Sequence, residues 1–283
     1  MSIEQGALYV VATPIGNLED ISRRALEVLA GVDRIAVEDT RRSRRLLGHY
    51  GIARPLVCVH EHNERRILDR LLAALGAGES LALISDAGTP LISDPGYHLV
   101  RRAREAGIRV IPVPGASALV SALSVSGLPT DRFVFEGFLP ARAAARRARL
   151  EQLADEGRTL VFYEAAHRIA DSLADLAAVF GPGREAVLAR ELTKAFETVR
   201  GAPLEALHGW VCADADQRKG EFVLVVAGAP APDAARLSAR DEQVLGMLLE
   251  VLPAGQAATL AGRITGARRK LFYRKTLELK GED

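Results

Sequence analysis

A repeating alternation constrains this chain more than anything else. Short runs rich in Val and Ile, Leu8 to Ala12, Arg34 to Val37, Leu56 to Val59, Leu81 to Ile84 and Arg109 to Val113, read as strands. Between them lie segments whose apolar residues recur at helical spacing, as in Ser22 to Ala30, Glu64 to Leu75 and Tyr97 to Ala106. Parallel neighbours need long crossover connections, and helices supply them. The pattern therefore predicts a mainly parallel sheet covered on both faces. A second block starts near Arg132, with strand-like Phe133 to Glu136, Leu160 to Tyr163, Ala186 to Ala189 and Phe222 to Val226. Helical patterns at Arg146 to Leu153 and Ile169 to Phe180 make it a second α/β or α+β domain. Gly228 to Pro232 reads as a semi-rigid linker. Beyond it, helical patterns near Ala239 to Leu252, Gln256 to Thr265 and Arg268 to Leu279 predict a small helix-turn-helix-like appendage. The expected division is residues 1–128, 129–229 and 230–283.

Composition narrows the class. Hydrophobic residues at 48% and charged residues at 26% of 283 leave ample apolar surface for cores. With 37 Lys and Arg against 36 Asp and Glu, the net charge is +1, so affinity for a polyanion must come from local clustering. Only Cys58 and Cys212 occur, which excludes a disulfide scaffold or a Cys-based zinc site, and both are expected to be core thiols. Met1 to Ala12 lacks a basic leader, and no run approaches a membrane span, so a cytoplasmic protein without membrane association is expected.

In an open α/β sheet, ligands bind beyond the carboxyl ends of the strands. The five strand exits are Thr13-Pro14-Ile15-Gly16-Asn17, Glu38-Asp39-Thr40-Arg41, His60-Glu61-His62-Asn63-Glu64, Ser85-Asp86-Ala87-Gly88-Thr89-Pro90 and Pro114-Gly115-Ala116-Ser117. All are polar or carry Gly and Pro. Gly76-Ala77-Gly78 and Gly181-Pro182-Gly183 close helices instead of following strands, so neither is a dinucleotide fingerprint, and no phosphate-loop motif occurs. Gly16, Gly88 and Gly115 allow close backbone approach, with Asp86 as an acceptor. That suits a small ligand with an adenosine and an amino-acid part. No metal is expected: His60 and His62 leave a strand on opposite sides, and two imidazoles alone do not close a site.

Several longer strings carry a resemblance. Leu8 to Leu18, Glu38 to Arg41, Ser85 to Pro90 with Asp94-Pro95-Gly96, Gly137-Phe138-Leu139-Pro140 and Arg190 to Lys194 resemble the ribosomal RNA small subunit methyltransferase I family, within the tetrapyrrole-methylase superfamily. The likeness runs almost end to end, tail included. It implies two α/β domains of tetrapyrrole-methylase type with a cofactor cleft between them, plus a small helical C-terminal appendage. It further implies S-adenosyl-L-methionine as cofactor, commonly a homodimer, and 2′-O-methylation of a cytidine ribose in the decoding region of 16S ribosomal RNA. Carried over by position, cofactor contacts fall on Pro14, Ile15, Gly16, Asp86, Ala87, Gly88, Thr89 and Ser117, with Tyr163 and Glu221 from the second domain. Many superfamily members have Pro-Gly-Pro-Ser where this chain has Pro114-Gly115-Ala116-Ser117; the change frees one φ angle and keeps the Gly and Ser.

Three basic clusters suggest where RNA would lie, free or within the small subunit, with no DNA expected. Arg41 and Arg42 belong to the first, with Arg44 and Arg45; Arg142, Arg146 and Arg147 to the second, with Arg149. The third includes Arg268, Arg269 and Lys270, with seven basic residues against Glu278 between Arg263 and Lys280. Arg190 is a further candidate, equally readable as part of a structural ion-pair cluster with Glu191 and Lys194. Anionic tetrapyrroles would also attract such clusters, so methylation of a cobalamin or sirohaem precursor is the alternative reading. A non-catalytic nucleic-acid-binding regulator is another, which leaves the ordered strand exits unexplained. The appended basic tail favours a structured RNA, whose phosphates spread over a wide surface. No triad marks a general base. The candidates are Glu38, His60 and Lys194.

Overall fold

The structure is a computed structural model that describes residues 3–59, 64–230, 237 and 239–280. The chain divides into two compact units, residues 1–228 and 229–283. The first half of the larger unit runs β1 (Leu8–Val11), α1 (Arg23–Gly31), β2 (Arg34–Val37), α2 (Thr40–His49), β3 (Leu56–Cys58), α3 (Glu64–Gly76), β4 (Leu81–Ile84), α4 (Tyr97–Glu105), β5 (Val110–Val113) and α5 (Ala118–Ser126). Its strands form one all-parallel sheet of order β3-β2-β4-β1-β5. Apart from Arg34 at the start of β2, the strands are apolar, and the central β1, β2 and β4 are buried on both faces. On β1, Leu8 packs with Leu81, Leu83, Leu71 and Leu99 on one side, while Tyr9 and Val11 pack with Val28, Leu29, Ile35 and Val37 on the other.

The second half runs β6 (Phe133–Phe138), α6 (Ala143–Leu153), β7 (Thr159–Ala165), α7 (Ile169–Phe180), β8 (Glu185–Arg190), β9 (Thr198–Pro203), α8 (Leu204–Ala213) and β10 (Glu221–Val226). The sheet is mixed, of order β6-β7-β10-β8-β9: β6 and β7 are parallel and the other pairs antiparallel. Leu160, Phe162, Leu188 and Leu224 bury one face under Leu150, Leu173, Leu176 and Leu207 of α6, α7 and α8. The opposite face, with Val161, Val187, Val223 and Val225, is covered by Leu119, Ala122 and Leu123. Thus α5 packs on the second sheet although it follows the last strand of the first, and this carries the chain across to the second half. Three elements escape periodicity for different reasons. The helix α2 carries four arginines in ten residues, α5 is apolar apart from three serines, and β9 is an edge strand with Gly201 and Pro203.

The smaller unit holds α9 (Ala239–Leu249), α10 (Ala254–Thr265) and α11 (Arg269–Lys280) around Leu245, Ala257, Ala258, Ala261 and Phe272. Gly266, at φ 80°, ends α10 in the left-handed conformation and leads into the turn before α11. Lys275 and Glu242 pair at 2.9 Å.

Three expectations need correction. Cys212 is exposed on α8, with Sγ 3.4 Å from His208 Nε2, so it is not a core thiol; Cys58 is half-buried. Arg146 is 4% exposed and bound to Asp175 at 2.7 Å, because its helix turns it onto α7; it presents no charge to a phosphate. Arg190 is 7% exposed and spends its guanidinium on the carbonyls of Lys219, Asp216 and Phe196 at 2.7, 2.8 and 3.1 Å, tying together the loops beyond β8 and before β10.

Candidate active site

Four of the five strand exits meet at one cavity of about 550 Å³. The fifth, with His60 and His62, lies outside the described residues, so the catalytic reading of His60 does too. Among the described residues, no group of three His, Cys, Asp or Glu side chains is placed to hold a metal ion.

The exits are stitched together by backbone groups. Thr13 N–H donates to Gly88 O at 2.8 Å, and Gly88 N–H donates back to Thr13 O at 3.1 Å. The Thr13 hydroxyl reaches Ser85 O at 3.3 Å, and that of Thr89 reaches Ala116 O at 3.1 Å. Asp86 ties in the β2 exit: Oδ1 accepts from Asp39 N–H at 3.0 Å, and Oδ2 lies 3.3 Å from Arg42 Nη1. Asp39 in turn accepts from Arg41 N–H at 2.7 Å and caps α2, and that backbone hydrogen bond holds its carboxyl below the usual range. Gly88, at φ 77°, could not become alanine without strain, and the added Cβ would lie 3.3 Å from Ile15 Cγ2.

Of the carried-over cofactor residues, Ile15, Asp86, Ala87, Gly88, Thr89 and Ser117 line the cavity from the first sheet, and Tyr163 and Glu221 line it from the second. Pro14 and Gly16 flank Ile15 without lining it. Gly16 instead seats the first loop against the second half: a Cβ there would fall 2.4 Å from Lys194 Cγ and 3.0 Å from Leu192 O. Asn17 N–H donates to Thr193 Oγ1 at 3.1 Å beside it. Tyr163 accepts from Leu119 N–H at 3.1 Å, and edge-to-face contacts with Phe135 and Phe138 fix its ring.

Of the base candidates, Glu38 lines the cavity, and burial together with the neighbouring Asp86 charge pushes its carboxyl up. Lys194 also lines it. Burial disfavours its ammonium, yet Glu191 and Glu221, each 2.8 Å away, more than offset this and raise its pKa, so the group stays charged. The sequence reading gave no site role to His167 or Ile92, nor to Asp94 and Phe138 within the strings that carry the resemblance, and all four line the cavity. Asp94 stands in the quoted Asp94-Pro95-Gly96 string, and its carboxyl is pushed up to about 6 by burial and by the charges of Glu38 and Asp86, against a hydrogen bond from Ser85. Among the described residues, four non-glycine residues sit at positive φ, and all flank this cavity: Leu91 at 74°, Ser93 at 66°, Glu191 at 51° and Thr193 at 68°.

Of the basic candidates, Arg41 and Arg42 are exposed on α2, with Arg42 at the cavity wall. Arg142 is exposed at the start of α6; Arg147 is exposed but paired with Asp175 at 2.6 Å. Arg268, Arg269 and Lys270 are exposed at the start of α11.

Residues 7–208 match the family model of the tetrapyrrole (corrin/porphyrin) methylases, and residues 231–280 match the RsmI C-terminal HTH domain. The chain is 58% identical over 278 residues to ribosomal RNA small subunit methyltransferase I of Pseudomonas aeruginosa, covering 98% of this chain and 99% of that one. Its counterpart in Escherichia coli O157:H7 is 53% identical, covering 98% and 96%. The chain belongs to the ribosomal RNA small subunit methyltransferase I family. Its fold is that of the tetrapyrrole methylases: a cobalt precorrin-4 methyltransferase structure superposes with a TM-score of 0.59 at 14% identity, covering 78% of this chain and 95% of that one. Membership makes the protein a methyltransferase that uses S-adenosyl-L-methionine. The cavity fits that group in volume and in composition, with few polar side chains set among close-approach backbone.

Proposed function

We propose that the protein methylates the 2′-hydroxyl of a cytidine ribose in the decoding region of 16S ribosomal RNA, presented as free RNA or in the small subunit. The observation that carries this reading is the extent of the likeness. Relatives named for ribosomal RNA methylation match 95–98% of the chain, whereas the uroporphyrin-III and cobalt-precorrin methyltransferase structures match 78–80%. The part that distinguishes the two classes is of the size of the basic helical unit. That unit is superfluous for a small tetrapyrrole, but it suits a polyanion with dispersed phosphates.

S-adenosyl-L-methionine, held by Ile15, Asp86 to Thr89, Ser117, Tyr163 and Glu221, supplies an electrophilic methyl group. The chain's own residues do the rest. Thr13, Gly88, Thr89 and Ala116 lock the loops, so donors and acceptors are fixed before the ligand arrives. Lys194, paired with both Glu191 and Glu221, ties the loop after β8 to the start of β10 at the cavity wall. Arg41, Arg42, Arg44 and Arg45 line α2 beside the cavity and would guide the RNA backbone toward it. Exposed apolar Val120 and Val125 on α5 support a homodimer, and no helix among the described residues is long and apolar enough to cross a membrane.

Purified protein incubated with labelled cofactor and small subunits, followed by nucleoside mass spectrometry, should yield 2′-O-methylcytidine. Methyl transfer to a uroporphyrinogen or precorrin, with none to RNA, would sink the reading.

A further inference from the structure

We propose that Asp94 is a catalytic residue, the acceptor of the proton that leaves the substrate hydroxyl. This inference rests on the methyl-transfer reading above and identifies the residue that the reading leaves open. It follows from what each acidic group at the cavity already does. Asp86 is committed on both oxygens, to Asp39 N–H and to Arg42. Glu221 is paired with Lys194. Glu164 is 2% exposed and accepts from Ser172 Oγ and Ala165 N–H. Glu38 and Asp94 remain: the Asp86 backbone N–H favours the Glu38 carboxylate and the Ser85 hydroxyl that of Asp94, and Asp94 is the one whose backbone the cavity-edge strap fixes.

The backbone around Asp94 is held for a purpose. Leu91 and Ser93, both at positive φ, form a strap at the cavity edge. Gly137 makes room for it, since a Cβ there would lie 2.9 Å from Ser93 Oγ, and Gly96, at φ 117°, follows Asp94 against β4, where a Cβ would lie 2.7 Å from Leu83 Cδ2. Strained backbone seated by its surroundings is characteristic of positions where geometry serves function. The step balances as follows: the hydroxyl oxygen bonds to the methyl carbon while the methyl–sulfur bond breaks, its electron pair leaves on sulfur, and the hydroxyl proton passes to the Asp94 carboxylate.

The groups facing Asp94 set its proton affinity. Glu38 and Asp86 approach from the β2 and β4 exits and the Tyr163 phenol from β7, while the cavity's cations, Arg42 and Lys194, are each paired with other carboxylates. A carboxyl pushed up to about 6 is ionised at neutral pH yet basic enough to take a proton, which is where general bases work best.

The test is methyl transfer to small subunits, measured as kcat/KM from about pH 5 to about pH 9. The parent should show an acid limb with a midpoint near 6. Asp94→Asn should lower kcat by about 10²–10⁴-fold and abolish the limb, while calorimetry shows cofactor affinity retained within a few-fold. Its melting temperature at neutral pH should rise, because a poorly solvated charge is removed; a structural Asp94 predicts the opposite. Glu38→Gln should move the limb toward lower pH, by roughly 0.5–1 unit, by taking away a neighbouring charge. A parent profile flat through pH 6, or Asp94→Asn with parental kcat, would overturn the proposal even if Asp94→Asn folded poorly, since the parent profile stands alone. A parent that methylates no RNA at all would overturn the reading beneath it instead.

Discussion

Arg146 and Arg147 are neighbours in sequence that bind the same carboxylate, yet their surroundings assign them different work. Arg146 is 4% exposed and Arg147 60%, and both donate to Asp175. Removing Asp175 as Asp175→Ala would strand a buried guanidinium and should cost about 3–5 kcal/mol by chemical denaturation. Arg147→Ala loses an exposed arm and should cost less than about 1 kcal/mol. Gly16→Ala should act on binding more than on stability. The new methyl collides with Lys194 and the Leu192 carbonyl, so the first loop must move from the cavity wall; calorimetry should show cofactor affinity down by about tenfold or more. Asp94 gives a pH dependence with a definite sign. Its carboxyl holds a proton up to about 6 in the fold but only to the ordinary 3.8 when unfolded. The folded state therefore binds more protons between those values, and stability falls as pH rises through that window. Asp94→Asn should flatten that decline in melting temperature. Composition and spacing could find Asp86 and the close-approach glycines because their roles are local. They could not find Asp94 as a base, because its proton affinity comes first from burial in the folded cavity and then from Glu38 and Asp86, which stand 56 and 8 residues away in sequence.

At the scale of elements, the sequence is legible wherever one face of a segment differs from the other. The strands β1, β2 and β4 and the helices α3 and α7 stand close to their predicted bounds, because burial imposes a strong apolar pattern on them. Thr40–His49 buries only Ser43 and Leu47, at i,i+4, so its apolar stripe is narrow and easily lost among the arginines; the Asp39 cap is a further local signal. The beginning of α11 is a different case. Arg268, Arg269 and Lys270 sit at the positive end of the helix dipole, where cations are unfavourable, so helix stability does not explain them. If they bind phosphates, replacing all three with Ala should flatten the dependence of log K on log salt by roughly 0.7 per lost contact with single-stranded RNA. The cytidine preference should persist, since phosphate contacts position without reading bases. The melting temperature should hold or rise. An unaltered salt slope would remove this cluster from the RNA-contacting surface.

At the scale of the whole molecule, each unit has its own core: four clusters lie within residues 1–228, and a fifth, mostly small-residue cluster lies in the tail. A chain ending at Pro230 should therefore melt cooperatively and bind cofactor like the parent, while its RNA affinity drops; unchanged kcat/KM on small subunits would show that the tail is not a recognition element. The strand order of the first sheet also bears on how the protein is made. The first strand to leave the ribosome, β1, finds its partners only in β4 and β5, and β4 alone joins it to the β2–β3 pair. Synthesis must run about 70 residues past β1 before any partner exists, which at typical translation speeds is roughly 4–14 s. Throughout that interval an apolar Leu-Tyr-Val-Val segment has open edges on both sides. Nascent chains halted before β4 emerges should be cut readily by protease and bound by chaperones, and those halted after β5 emerges should resist, so the emergence of the fourth strand is the committed event in biogenesis.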